Sequence, residues 1–252
     1  MIPRHLLAIE ARKLTQSVVT RVATTAALIL VTATTAGGYA AATLAPDTQA
    51  GAKAAWLMPS GGWPGLTGLA ATGAGVASLL AAGIVTSWLV GREFTDGTVV
   101  GLFAVPIDRG TIARAKVIVI AAWATALAIA CGLLTALAGV CLGLPPSGAA
   151  SSAGTIALVG ALLGVGALPM AWFATLGRGY LTGIAATLAV VTVTNLAAGF
   201  GVGTLLPWAA PILWATPGGD TSPLALLLPL AVGAAGTVLT AWSWDRLELG
   251  DR

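Results

Sequence analysis

Six stretches of the sequence, each about 19 residues or longer, contain no charged side chain, and a helix of that length crosses the hydrocarbon core of a bilayer. They cover residues 22–44, 66–90, 117–142, 155–176, 181–200 and 224–244. A backbone inside lipid must satisfy its own hydrogen bonds, and helices do so within one segment. The fold class expected is therefore all-α: a polytopic membrane protein with six transmembrane helices in a single domain, residues 1–252. Composition agrees, with 8% charged residues against 57% hydrophobic, far from the balance of soluble domains. The first run reads as a retained anchor rather than a cleaved signal peptide. It is too long, about twenty residues precede it, and Thr43-Leu44-Ala45 before Pro46 is a poor cleavage site.

The formal net charge of +3 invites a nucleic-acid reading, but its distribution argues otherwise. With six spans, Arg4, Arg12, Lys13, Arg21, Arg92, Arg109, Arg114, Lys116, Arg178, Arg246 and Arg252 all fall on one side of the membrane, and Lys53 alone falls on the other. Positive charge in short loops marks the cytoplasmic face, so both termini are expected inside. The basic balance reports orientation, and no nucleic-acid partner is expected.

The segments between the runs differ in character. Residues 1–21 are expected to form an amphipathic helix on the cytoplasmic interface, with Leu7, Ala11, Leu14 and Val18 on one side, Arg12, Lys13, Gln16 and Thr20 on the other, and Ile9 out of pattern. Ala45–Gly65 carries Trp56 and Trp63, residues suited to the membrane–water boundary. Residues 201–223 are apolar but broken by four prolines, and are expected to dip into the outer leaflet and return. Gly-x-x-x-Gly spacings such as Gly160/Gly164 and Gly199/Gly203 permit close helix approach. Cys131 and Cys141 read as small buried apolar residues, since no Cys/His cluster accompanies them.

Catalytic chemistry is hard to find. The only histidine is His5, no H-E-x-x-H occurs, no carboxylate lies within the six runs, and Ser78 and Ser87 lack a neighbouring base in sequence. The chain is not expected to be an enzyme. Carriers coupled to protons place an acid or histidine in the membrane interior, and these runs have none. Thr24, Thr25, Thr32, Thr34 and Thr35 are expected to bond mainly to their own backbone. Asn195 is the polar candidate for bridging helices or touching a substrate in a translocation path. No phosphate-binding G-x-x-x-x-G-K-[ST] loop is present, so a motor, if there is one, must lie in another chain.

One loop breaks the apolar pattern. Residues 91–116 hold seven charged side chains, in a chain with 12 Lys/Arg and 9 Asp/Glu in all. Asp96 is expected to cap a short helix over Gly97–Val105 that Pro106 ends, and Asp108 to cap the helix leading into the third span. Val99, Leu102, Phe103 and Pro106 would offer a partner an apolar surface, flanked by Glu93, Asp96, Arg109 and Arg114.

The pattern Glu-x3-Gly-Thr-x3-Leu-x3-Pro-x2-Arg-x6-Lys, met by Glu93, Gly97, Thr98, Leu102, Pro106, Arg109 and Lys116, resembles the cytoplasmic loop of type-2 ABC transporter permeases. Glu10 and Lys13 in the N-terminal helix, the six spans and the broken segment before the last span extend the likeness. Thr95 stands where that family often has a second acid, and Gly101 where a charged residue is common. The resemblance implies a permease subunit of an ATP-driven exporter of a drug, antimicrobial peptide, lipid or envelope component. Two permease copies, identical or paralogous, would pair in the bilayer and meet two ATPase subunits, which bind the ATP and Mg; this chain would hold no cofactor of its own. The loop would be the coupling helix and the N-terminal segment the elbow helix. Coupling would fall to Glu93, Phe94, Thr98, Leu102, Phe103, Pro106 and Arg109. A secondary carrier, a channel and a non-transporting scaffold are the other readings open at this level. The Gly/Ala-rich composition suggests a bacterial source, and with it the cell membrane.

Overall fold

A computed structural model describes residues 2–200, 202–219 and 221–248. Among them every regular element is helical. The N-terminal helix α1 (Arg4–Gln16) ends at Ser17, whose extended backbone turns the chain and whose hydroxyl caps α2 (Val18–Thr32) by accepting from the Thr20 amide. A π-helical turn over Ala33–Gly37 joins α2 to α3 (Gly38–Leu44), so the first span is continuous from Val18 to Leu44. After α4 (Gln49–Leu57) in the connecting segment, α5 (Gly62–Thr95) and α6 (Arg109–Cys141) form the second and third spans. The fourth comprises α7 (Ala149–Gly166) and α8 (Met170–Leu176), the fifth is α9 (Tyr180–Gly199), and the sixth is α11 (Leu227–Asp245). Six helices are thus long and apolar enough to cross a membrane, as the six uncharged runs require.

Helix α5 is the axis of the bundle. It packs against α2, α6, α7, α8 and α9, and small side chains make this possible: Ala70, Ala71, Ala74, Ala77 and Ala81 are buried along it. The α6–α7 contact uses the same device. A β-carbon added at Gly160 or Gly164 would meet the β-carbons of Ala128 or Ala124 at 2.8 and 2.7 Å, so the two helices touch nearly backbone to backbone there. Of the second such pair, Gly199 is the last residue of α9 and Gly203 opens a 3-10 turn.

The fourth span breaks at Pro169, which has no N–H to give the Val165 carbonyl. The Met170 amide turns back to Ala167 at 3.1 Å, and the Gly166 carbonyl accepts instead from the indole of Trp208 at 2.8 Å. Trp208 belongs to the proline-rich segment after α9. There α10 (Ala210–Ala215) packs on α5 and α7, with Ala209 and Ala210 buried and Ile212 against Gly75. Gly75 lies thirteen residues in from the start of α5, roughly 20 Å along its axis at 1.5 Å per residue. Gly201 and Asp220 of this segment lie outside the described residues.

Four expectations change. The buried stripe of α1 is Leu6, Glu10 and Leu14, one residue around from the Leu7/Ala11/Leu14/Val18 face, and Val18 is exposed. The cause is a carboxylate in the seam, described below. Thr20, expected on the polar side, is buried. Asp96 does not cap the following helix: it closes α5 and pairs with Arg92 at 3.5 Å, while Gly97, at a φ of 70°, makes the left-handed turn into a 3-10 helix over Thr98–Phe103. Cys131 is buried as expected, but Cys141, at the end of α6, is exposed. By contrast Asp108 does cap α6, accepting from the Thr111 amide at 3.0 Å, and Thr24, Thr32 and Thr34 each donate to the carbonyl four residues earlier; the buried Thr35 hydroxyl, expected to do the same, has no partner among the described residues.

Candidate functional site

The helices of spans two and three outrun their apolar runs at the charged end of the bundle. Helix α5 continues through Arg92 and Glu93, and α6 begins at Arg109, eight residues before the third apolar run. The extra turns carry ionised groups into the protein, which is tolerable only where those groups are paired. Lys116 has 0% of its surface exposed. Its ammonium donates to Glu10 Oε2 at 2.7 Å and to Glu93 Oε1 at 2.8 Å. Lys13, at the rim, donates to Glu10 Oε1 and Glu93 Oε1, both at 3.0 Å. Two carboxylates thus bridge two ammoniums, with no net charge. Burial alone would lower the Lys13 pKa, but the Glu10 and Glu93 carboxylates outweigh it and hold the group above the ordinary lysine value.

The last oxygen of the quartet reaches the loop. Glu93 Oε2 accepts from the Thr98 hydroxyl at 2.7 Å, and Thr98 is the first residue of the 3-10 helix. One cluster therefore fastens α1, α5, α6 and the short helix together. A second layer lies beside it. Trp244 of α11 is fully buried, donates to Thr175 Oγ1 of α8 at 3.0 Å and meets Phe94 edge-on, centroids 6.0 Å apart. Leu6, Ile112, Ala113 and Leu102 close around it. Arg109 lies with its guanidinium 4.2 Å over the Phe103 ring and donates to the Asp245 carbonyl at 3.3 Å, while the Asp245 carboxylate accepts from the Gly110 amide at 2.8 Å.

Of the coupling residues expected from sequence, Glu93, Phe94, Thr98, Leu102, Phe103 and Arg109 come together at this end. They do different things. Glu93 and Thr98 are fastened in the ionic cluster, and Phe94 and Leu102 face the bundle. Phe103 is half-buried beneath Arg109, and Pro106 is exposed. The outward surface of the loop is Val100, Ala104, Val105 and Pro106, with Val100 57% exposed. Asn195 stands apart. Its side-chain nitrogen donates to the Val191 carbonyl of its own helix at 2.8 Å, and it lines a separate cavity with Trp56, Thr72, Trp208 and Ile212. Among the described residues no group of acids, cysteines and histidines is arranged to hold a metal.

Glu10, Lys13 and Lys116 are the cluster members that a reading for partner contacts leaves out, although all three are visible as sequence landmarks. Their signal is scarcity: an acid within an otherwise apolar helical stripe is costly unless a cation meets it. Trp244 and Asp245 carry no comparable mark.

Among curated proteins, none matches the sequence. A protein-family model described as "ABC-2 family transporter protein" matches residues 6–195, from the first buried leucine of α1 to Asn195 in the fifth span. The match takes in the whole ionic cluster and the loop it fastens, and it covers well over half of the chain. The chain belongs to the ABC-2 transporter family, the type-2 membrane permeases of ABC transport systems.

Proposed function

We propose that this permease is the membrane subunit of an ATP-driven exporter in the cell membrane, and that a separate ATPase grips it at the 3-10 helix Thr98–Phe103. Its charged end, with both termini, faces the cytoplasm. It works with a second permease copy or a paralogue and two ATPase subunits, which hold the ATP and Mg. Helix α1 serves as the elbow and Thr98–Phe103 as the coupling helix. The segment between α9 and α11 is the re-entrant outer element.

The observation that carries this reading is the bond from Thr98 to Glu93 within the Glu10–Lys13–Glu93–Lys116 quartet. A short helix tethered only by peptide links would flex under load. This one is fastened through Thr98 to Glu93 at the end of α5, and through Glu93 to the buried Lys116 of α6, so a displacement applied at Val100 or Val105 moves packed helices as bodies. Phe94 and Leu102, wedged against Trp244, extend the same motion to α8 and α11. Gentle detergent extraction of the tagged chain from its native membrane, followed by mass spectrometry, tests the reading. An ABC ATPase is expected to co-purify in about equal amount, and ATP hydrolysis by the complex to rise with cargo. A chain that purifies without any ATPase, yet moves solute down an ion gradient in liposomes, would identify a secondary carrier instead.

A further inference from the structure

A cavity of about 410 Å³ lies between α5, α9 and α10, away from the ionic cluster, within the size range of small-molecule sites. Its walls are mostly apolar: Val76 and Leu79 of α5, Val191 of α9, and Ile212 and Leu213 at α10. Trp56, 80% exposed, stands with Leu57 and Pro59 on the side of the segment joining spans one and two. Among the described residues no charged side chain lines it.

The polar groups in the wall have a definite hydrogen-bonding character. Thr72 and Thr216 donate to carbonyls of their own helices, Gly68 at 3.3 Å and Ile212 at 2.9 Å, and the Asn195 nitrogen donates to Val191. The two hydroxyls have spent their donors and retain lone pairs, while Asn195 keeps its amide oxygen and a second N–H. Thr194 differs. It is more than nine-tenths buried, contributes to the same wall, and its hydroxyl has no partner among the described residues. An orphaned buried hydroxyl is costly unless something bonds to it.

We infer that this cavity binds a neutral amphiphile, an apolar chain ending in hydroxyl groups, with Thr194 and Asn195 receiving the polar end. Carboxylates and phosphate monoesters are disfavoured by the same wall, because they bring a charge to an apolar setting where no described cation pairs it. A second copy of this chain is a poorer occupant, since the concavity is enclosed by three elements of one chain. That the bound amphiphile is cargo rests on the exporter reading; that it binds does not.

The test needs no ATPase. The purified permease in phosphatidylcholine nanodiscs is irradiated with a monoacylglycerol carrying a diazirine in its acyl chain, and the adducts are mapped by peptide mass spectrometry. Saturable labelling of residues 191–195 and 208–216 is expected, competed by unlabelled monoacylglycerol and not by the ionised fatty acid of equal chain length. The isosteric Thr194→Val should weaken labelling about fivefold, as loss of one hydrogen bond does. Val76→Trp, which fills the cavity from α5, should abolish it while the protein stays monodisperse. Non-saturable labelling spread over the outer helix faces, equal competition by the fatty acid, or chain-to-chain crosslinks from this wall would each overturn the inference. Saturable labelling in a chain that never co-purifies with an ATPase would sink the exporter reading and leave the site standing; an ATPase partner without such labelling would do the reverse.

Discussion

The ammonium of Lys116 is 2.7 Å from the carboxylate of Glu10, a residue 106 positions earlier, and both side chains are buried. Replacing Lys116 with Met leaves Glu10 and Glu93 with Lys13 alone between them. Removing one partner of a buried ion pair costs roughly 3–5 kcal/mol, because the remaining charge is stranded. Lys116→Met is expected to lower the thermal unfolding midpoint in detergent sharply. The double variant Glu10→Leu/Lys116→Met is expected to recover part of that loss, and strict additivity of the two would show that the pair is not coupled.

Thr98→Val keeps the shape of the side chain and deletes the bond to Glu93. A hydrogen bond to a charged group contributes about 1.5–3 kcal/mol, so the short helix should detach locally without unfolding the bundle. Hydrogen exchange over residues 98–103 should accelerate by tenfold or more, with α5 and α6 still protected. Thr98→Ser should restore protection.

Phe103→Asp removes the ring beneath Arg109 and places a carboxylate in its stead. Insertion and folding are expected to survive, since Phe103 is only half-buried. In the reconstituted complex, ATP hydrolysis should lose its response to cargo. An unchanged cargo-stimulated rate would remove Phe103 from the coupling surface.

Trp208→Phe retains the aromatic packing and withdraws the donor that satisfies the Gly166 carbonyl at the Pro169 break. An orphaned buried acceptor costs about 1–3 kcal/mol, to be read as a lower unfolding midpoint. No change in the midpoint would mean that another donor reaches that carbonyl.

The spans were legible because each is an unbroken apolar run, the one pattern that a bilayer enforces everywhere along its thickness. Their ends were not. The helix carrying Glu93 extends past the last apolar residue because Lys116 and Lys13 neutralise it, and no local rule gives the position of a partner 23 or 80 residues away. The same pairing sets the buried face of α1, where hydrophobic spacing favours Leu7 and Val18 but the buried stripe passes through Glu10. Asp96 departs from the capping pattern for a local reason: Gly97 takes the left-handed turn by itself, which frees the aspartate for Arg92. The loop residues of the candidate site were legible as a charged interruption in an apolar chain. Their division into fastened and outward-facing members depends on Trp244 and Asp245, which arrive from the far end of the sequence.

Contact between the short helix and an ATPase is tested most directly by a photoreactive amino acid at Val100, irradiated in intact cells. A crosslinked adduct of this chain with an ABC ATPase is expected from Val100, and none from the same group at Trp56 in the segment before α5. Absence of the ATPase from the Val100 adduct, together with modification of a cysteine at that position by a membrane-impermeant thiol reagent added outside the cell, would contradict it.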